Sequence, residues 1–145
     1  MRRFKFSLES VLTLREKALK DAQKQLASII RVYNRQNDVL NEMMLKLKEL
    51  ERESEIYLTS ANFNPNIIAN YGSFSYKLSN DIKLQEKIIE KTKQDVLKQQ
   101  EITKKAYIEV KSLENLKQKQ QEQYNKELLD EENKQIDDLV NSRRV

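Results

Sequence analysis

A single glycine and a single proline in 145 residues limit how often this chain can turn. Compact domains use both residue types at many of their turns, so the sequence has turn chemistry for about one reversal. Strands, barrels and alternating α/β units need several tight connections and are therefore disfavoured. Disorder is disfavoured too, because Leu, Ile and Val recur at helical spacing throughout the chain. The sequence thus predicts an all-α protein made of long helices.

A regular apolar stripe predicts a first helix over about residues 8–58. Its positions alternate between spacings of four and three residues for about seven heptads, and most of them are apolar. The stripe consists of Leu8, Leu12, Arg15, Leu19, Ala22, Leu26, Ile29, Tyr33, Gln36, Leu40, Met43, Leu47, Leu50, Ser54 and Tyr57. Such a helix is expected to pack one face against a partner helix.

The stripe ends at a cluster of Asn and Ser residues that includes Pro65, with Gly72 shortly after it, and this cluster predicts a reversal over about 59–73. A second helix is expected over about 74–140. Its stripe consists of Leu78, Ile82, Gln85, Ile89, Thr92, Val96, Gln99, Thr103, Ala106, Val110, Leu113, Lys117, Gln120, Tyr124 and Glu127. Several Leu and Ile residues lie just off this stripe, which indicates a register shift near 97–102.

Two long helices joined by a short connection are expected to fold back as an antiparallel coiled-coil hairpin, a single domain over 1–145. Pairing Leu58 with Lys77 places Leu8 opposite about Glu127. Residues 128–145 are then expected to extend past the partner helix.

Missing residue types exclude most kinds of active site. Without His or Cys the chain cannot build the usual zinc, haem or iron–sulfur ligand sets, nor a Ser-His or Cys-His nucleophile pair. One glycine cannot form a phosphate-binding loop or a dinucleotide fingerprint. Neither a signal peptide nor a run of ~18 apolar residues is present in the sequence, so a cytoplasmic protein without a transmembrane segment is expected. The sequence therefore predicts a protein with no catalytic site, cofactor or metal.

Charge is divided into blocks along the chain. Residues 1–35 carry nine basic and three acidic side chains, 77–126 carry twelve and eight, and 127–139 carry one and six. The hairpin brings the two basic blocks toward the end that holds the chain termini. Most lysines are isolated among Gln, Glu and Leu rather than gathered into Arg/Lys runs, which disfavours nucleic-acid binding. A basic end that meets an acidic protein surface is the better interpretation.

Aromatic residues gather near the predicted reversal: Tyr57, Phe63, Tyr71, Phe74 and Tyr76. Exposed Tyr and Phe side chains supply much of the contact area in protein interfaces. The same residues could instead cover the open end of the two-helix core. The sequence leaves both interpretations open.

Three segments, taken together, resemble the flagellar export protein FliJ family of the bacterial type III export ATPase complex. They are FKFSLESVLTLRE at 4–16, NYGSF at 70–74 with Leu78 and Ile82 after it, and VKSLENLK at 110–117 followed by DDL at 137–139. The resemblance covers essentially the whole chain. It implies an antiparallel coiled coil similar to the central-stalk shaft of F-type and V-type ATPases.

The resemblance also implies a function in flagellum biogenesis, type III protein export, motility and chemotaxis. The family engages the hexameric export ATPase, contacts the cytoplasmic domain of the membrane export gate and handles export chaperones. It implies a cytoplasmic protein held peripherally at the inner face of the membrane at the flagellar base. The residues that would face the gate are Tyr71, Phe74, Leu78, Asp81 and Gln85. The residues that would face the ATPase ring are Phe4, Phe6, Leu8, Val11, Leu12, Arg15, Glu109, Lys111, Leu113 and Glu114.

Two alternative functions belong to other classes. A chaperone-like holdase or escort protein would grip clients with the hairpin tips, using Val11, Leu14 and Leu128 as exposed contacts. A structural coiled coil would self-associate through the apolar residues that lie off the stripe. The sequence alone excludes neither alternative.

Overall fold

A computed structural model describes residues 3–143 and contains two α-helices that pack against each other as a hairpin. Helix α1 spans Glu9–Leu58 and helix α2 spans Pro65–Arg143. No strand is present among the described residues. The predicted all-α helical hairpin is confirmed.

The reversal is shorter than predicted, because α2 begins at Pro65 rather than near residue 74. Asn64 caps the new helix: its Oδ1 accepts a hydrogen bond from the N–H of Asn66 at 3.0 Å. Pro65 therefore occupies the first helical position, where a missing N–H costs nothing and the fixed φ suits the helix. Gly72 lies inside α2 with no positive φ, so it is a helical residue and takes no part in the turn.

Hydroxyl groups satisfy the carbonyls at the end of α1 in place of a glycine cap. Thr59 Oγ1 donates to the carbonyl oxygen of Ile56 at 2.8 Å, and Ser60 Oγ donates to that of Tyr57 at 2.7 Å. A helix end needs such partners because its last carbonyls have none within the helix. The predicted turn chemistry is thus present, confined to 59–64.

The chain divides into two compact units, each containing a segment of both helices. The reversal unit is Lys24–Glu101; the terminal unit, as far as it is described, comprises residues 3–23 and 102–143. The single domain expected over 1–145 stays a prediction.

In the reversal unit the facing stripe includes several polar side chains. Ile82, Thr92 and Gln99 are buried on α2, and Gln85 Nε2 donates across to the carbonyl oxygen of Gln36 at 3.0 Å. All predicted stripe positions of this unit are buried or half-buried, including Val96 and Gln99. The seam therefore keeps its spacing up to Gln99, and the shift expected to begin near 97 is not seen in this unit.

In the terminal unit a small core forms around Phe6, Leu12 and Val110. Leu12 and Val110 face each other, and Lys117 reaches Glu9 with a separation of 2.9 Å between Nζ and Oε2. Leu8 thus lies near residue 117 and not near Glu127. The pairing predicted from a longer reversal was wrong by about two and a half helical turns, because α2 starts nine residues earlier.

A register shift does occur in the terminal unit, but after Lys117. Thr103 and Ala106 are half-buried as predicted, whereas Gln120 and Glu127 are exposed and their neighbours Gln121 and Leu128 are half-buried instead. Two successive spacings of four residues, from 113 to 117 and from 117 to 121, mark a stutter. The following residues 129–143 are helical and exposed throughout.

Candidate functional site

The ten residues assigned to the ATPase ring all lie in the terminal unit. Segments 4–15 and 109–114, nearly a hundred residues apart in sequence, are brought together there around the Phe6 core. The structure therefore assembles one surface from the two segments, and the contact of that surface with a partner stays a prediction.

Phe6 anchors the stretch that precedes α1. Its side chain is buried, and its carbonyl oxygen accepts the N–H of Glu9 at 3.1 Å, which forms a turn leading into the helix. The ring of Phe4 packs against Tyr124 with 5.7 Å between ring centroids. The segment before the helix thus covers α2 near Tyr124, just beyond the start of α1.

The ten residues assigned to the ATPase ring differ in solvent exposure. Phe6 and Leu12 are buried, and Phe4, Leu8, Leu113 and Glu114 are half-buried. The exposed members are Val11, Arg15, Glu109 and Lys111. The buried pair supports the surface from beneath, and the exposed members are the ones available for contact.

Two ion pairs join the helices within this unit. Arg15 Nη1 lies 3.2 Å from Glu109 Oε2, and the bridge between Lys117 and Glu9 lies one to two turns away along the helices. All four side chains are substantially exposed, so each pair contributes at most about 1 kcal/mol. The first bridge offsets the charge of Arg15 and the second that of Lys117. Arg3 and Lys5, by contrast, take part in no ion pair among residues 3–143.

Lys111 carries a third, local ion pair. Its Nζ lies 3.2 Å from Glu114 Oε2 and 5.6 Å from the centre of the Tyr107 ring. The hydrogen bond to Glu114, and then the charge of that carboxylate, raise the pKa of Lys111 above its ordinary value of 10.5. Lys111 is therefore fully charged at neutral pH.

A shallow depression lies at the end of the terminal unit. Its volume is about 520 Å³, and it is lined by Phe4, Lys5, Phe6, Glu9, Lys117 and Gln121. The depression is open to solvent and contains no cluster of catalytic side chains. Nothing in it resembles a substrate pocket, which encloses most of its ligand.

The five residues assigned to the export gate all lie in the reversal unit. Phe74, Leu78 and Asp81 line one depression of about 220 Å³, whose other walls are Lys46, Leu50 and Lys77. Phe74 is 61% exposed, so most of its ring is available to a partner. The helical spacing of 74, 78 and 81 places these three residues on one face of α2.

The two remaining gate residues are partly engaged inside the hairpin. Tyr71 packs against Tyr57 with ring centroids 6.1 Å apart, and Gln85 makes the hydrogen bond to Gln36. The sequence did not indicate Lys46 and Leu50 of α1 as neighbours of Phe74. Only the pairing of the two helices, which depends on where α2 begins, identifies them.

Of the aromatic residues near the reversal, some pack within the hairpin and others remain exposed, so each of the two interpretations that the sequence left open applies to part of the group. Tyr57 packs against Phe63 at 6.4 Å as well as against Tyr71, and its hydroxyl accepts the N–H of Asn64 at 3.0 Å. These three rings cover the end of the hairpin core. Phe74 and Tyr76, which is 72% exposed, remain at the surface.

Other kinds of site are missing from the described part of the chain. Between residues 3 and 143, no group of three or more His, Cys, Asp or Glu side chains could hold a metal ion. Neither helix, over the same range, has an apolar stretch that could cross a membrane.

Comparison with known proteins finds a match to one protein family. The family model described as "Flagellar FliJ protein" matches residues 4–144, which is nearly the whole chain. Searches among curated proteins and among solved structures found no match. The matched range includes all three segments on which the resemblance was based, and the chain belongs to the flagellar FliJ family.

Proposed function

We propose that this chain is a non-catalytic coiled-coil subunit that couples the flagellar export ATPase to the membrane export gate. Membership of the FliJ family makes it a component of flagellar protein export. In the proposal, the terminal unit engages the ATPase ring and the reversal unit contacts the cytoplasmic domain of the gate. Such a protein works at the cytoplasmic face of the membrane at the flagellar base, and it passes export chaperones and their cargo to the gate.

One observation carries the proposal: the residues assigned to the two partners lie in two different compact units. The residues assigned to the ring lie around the Phe6 core, and three of the five assigned to the gate line the Phe74 depression. A subunit that links two partners needs two separate surfaces, each formed by both helices. The arrangement of the two sets meets that requirement.

The ring interaction is tested by adding the purified chain to the cognate export ATPase. The chain is expected to raise ATP turnover and to favour the hexamer, which sedimentation measures. Reversing the charge of the exposed Arg3 and Lys5 is expected to weaken this effect most at low salt, because long-range attraction is screened by ions. Arg15 is a poorer choice because its reversal also breaks the bridge to Glu109. Arg2, which the charge pattern also indicates, lies outside the described residues.

The matched control for that experiment is reversal of two exposed lysines of the reversal unit, Lys83 and Lys87. It changes the net charge equally and leaves the terminal unit intact. If both double variants stimulate the ATPase equally well, the basic end is ordinary solvated surface. If the unaltered chain in excess changes neither turnover nor assembly, ring coupling itself is wrong.

The gate interaction is tested with Phe74→Ala and its neighbour Tyr76→Ala. Both rings are highly exposed, but only Phe74 lines the depression. Loss of binding to the gate domain is expected for Phe74→Ala, by about tenfold or more, and not for Tyr76→Ala. Equal loss in both variants would show that exposed aromatic area, and not this depression, is recognised.

Aggregation assays with flagellar cargo proteins distinguish the holdase alternative from this proposal. Leu14 is exposed as that alternative requires, but Leu128 is half-buried on the stripe of α2. A holdase would suppress aggregation of flagellar cargo without any change in ATP turnover. That outcome, together with unaltered gate binding in Phe74→Ala, would favour the alternative.

A further inference from the structure

The last turns of α2, residues 129–143, form a helix with no partner, here called the C-terminal tail. Every residue of the tail is exposed, whereas Leu128 just before it is half-buried. Four large apolar side chains on the tail are 45–62% exposed: Leu129, Ile136, Leu139 and Val140. A helix of this length gains most of its stability from packing an apolar face against something else. The tail is therefore a helix that lacks its packing partner.

The tail is strongly amphipathic. Leu129, Ile136 and Val140 follow one another at spacings of seven and four residues, which places them on one face of the helix. Glu131 and Asp138 are seven residues apart and lie about half a turn away, on the opposite face. The tail can thus bury this face while Glu131 and Asp138 stay in water; Glu132, three residues after Leu129, is the one carboxylate on the apolar side.

A second unpartnered apolar strip lies on the outer face of α1, in the same unit. Val11, Leu14 and Ala18 are spaced by three and four residues and are all exposed. Leu14 is 67% exposed, although Leu12, two residues earlier, is in the core. The surrounding segment has a small excess of positive charge, because residues 3–23 carry five basic side chains and three acidic ones.

The tail cannot reach this strip within its own chain. The helix continues without interruption through Arg143, so nothing in the tail allows it to fold back. Phe4 already lies against Tyr124, and the tail leads away from that contact, beyond the start of α1. The strip must therefore be covered by a tail from another molecule if it is covered by a tail at all.

We propose that two copies of this chain associate through their terminal units, with the tail of each copy lying on the strip Val11–Leu14–Ala18 of the other. Two such contacts related by a twofold axis form a closed dimer, and each contact pairs an acidic helix with a basic one. The tail carries five acidic side chains and two basic ones, opposite in net sign to residues 3–23, which carry five basic and three acidic ones. Charge complementarity thus favours the tail of one copy lying on the strip of the other, and it opposes a contact between two tails.

The dimer adds a regulatory consequence to the proposed function and does not depend on it. It covers Val11, one of the residues assigned to the ATPase ring. If that assignment holds, a second copy and the ATPase ring compete for Val11, so the dimer hides part of the surface assigned to the ring. The dimer itself is tested on purified protein alone, which separates its failure from that of the ring proposal.

Sedimentation equilibrium of the full-length chain, over a concentration series at low and high salt, measures the association. A dimer that weakens with salt is expected, because opposite charges attract across the contact. Ile136→Gln and Leu14→Gln are each expected to weaken the dimer at least about tenfold. Leu84→Gln, at an equally exposed position of the reversal unit, is the matched control and is expected to change nothing. A monomer at every concentration, or equal loss in all three variants, overturns the proposal.

Cysteine pairing identifies the surfaces directly, because the chain contains no cysteine of its own. A mixture of Leu14→Cys and Ile136→Cys proteins is expected to form a disulfide-linked dimer between the two variants under mild oxidation. A mixture of Leu84→Cys with Ile136→Cys is expected to form none. Cross-linking of Ile136→Cys only with itself, or equally with both partners, contradicts the proposed arrangement.

Discussion

Replacing Gly72 with alanine gives the sharpest test of where α2 begins. The structure places Gly72 inside the helix with no positive φ, and a Cβ added there would meet nothing within 4 Å. Alanine therefore adds no clash and no backbone strain. It also reduces the conformational freedom of the unfolded chain, so Gly72→Ala is expected to raise the free energy of unfolding by about 0.5–1 kcal/mol.

Urea unfolding followed by far-UV circular dichroism measures this change. With a denaturant dependence of about 1–2 kcal/mol per molar urea, the midpoint is expected to rise by about 0.3–1 M. Ala69→Gly, at an exposed position three residues earlier in α2, is the reciprocal control and is expected to lower the midpoint by a similar amount. A lower midpoint for Gly72→Ala would mean that residue 72 needs a glycine backbone. The reversal would then extend over 59–73, as the sequence alone suggests.

Three further substitutions test the packing, the helix cap and the local ion pair. Leu12→Ala removes a core side chain and is expected to cost about 2–3 kcal/mol in urea unfolding, whereas Leu45→Ala, on the same helix and 66% exposed, is expected to stay within about 0.5 kcal/mol; equal losses would contradict the core assignment. Asn64→Ala removes the cap of α2 and is expected to cost about 1 kcal/mol, with faster amide hydrogen exchange in the first turn of that helix. Glu114→Gln removes the main cause of the raised pKa of Lys111, so NMR titration of the Lys111 side chain is expected to show its pKa falling toward 10.5. Because the pKa of Lys111 is raised in the folded state, any stability linked to its charge is complete below pH 10.5 and is lost only as the pH rises through the folded value. The difference in free energy of unfolding between Glu114→Gln and the unaltered chain is therefore expected to stay constant between pH 6 and 9.

The facing stripe of α1 is predictable from spacing alone. Every predicted position from Leu8 to Tyr57 is buried or half-buried except Arg15, whose side chain turns outward to Glu109. Polar members such as Gln36 and Ser54 follow the rule as well as the leucines do. Position in the heptad decides burial here, and residue type has a smaller effect, because each stripe position faces the other helix.

The start of α2 is not predictable from turn propensity. Proline and glycine both mark turns in general statistics, but proline is also favoured at the first position of a helix. Asn64 supplies the cap that makes Pro65 the beginning of a helix. Gly72 then lies in a helix despite its low propensity, because the flanking residues Tyr71 and Ser75 are half-buried on the facing stripe.

The candidate sites depend on that starting point. The family resemblance supplied the residues of α2 that are assigned to the gate, but it could not supply Lys46 and Leu50, their neighbours from α1. An error in the start of one helix displaces the contacts between the two helices in both units. Local sequence patterns predicted which residues face inward, and the length of the reversal determined which of them meet.

The hydrogen bond between Gln85 and Gln36 has a mechanical consequence for the reversal unit. An apolar stripe by itself tolerates sliding by one heptad, since similar side chains recur every seven residues. Sliding by one heptad here would separate Gln85 from Gln36 and place it beside Ile29 or Met43, so that a polar side chain of the stripe would face an apolar one. The two helices of this unit therefore resist slipping past each other. A push or pull applied to one of them is transmitted along the unit instead of being dissipated as a change of register.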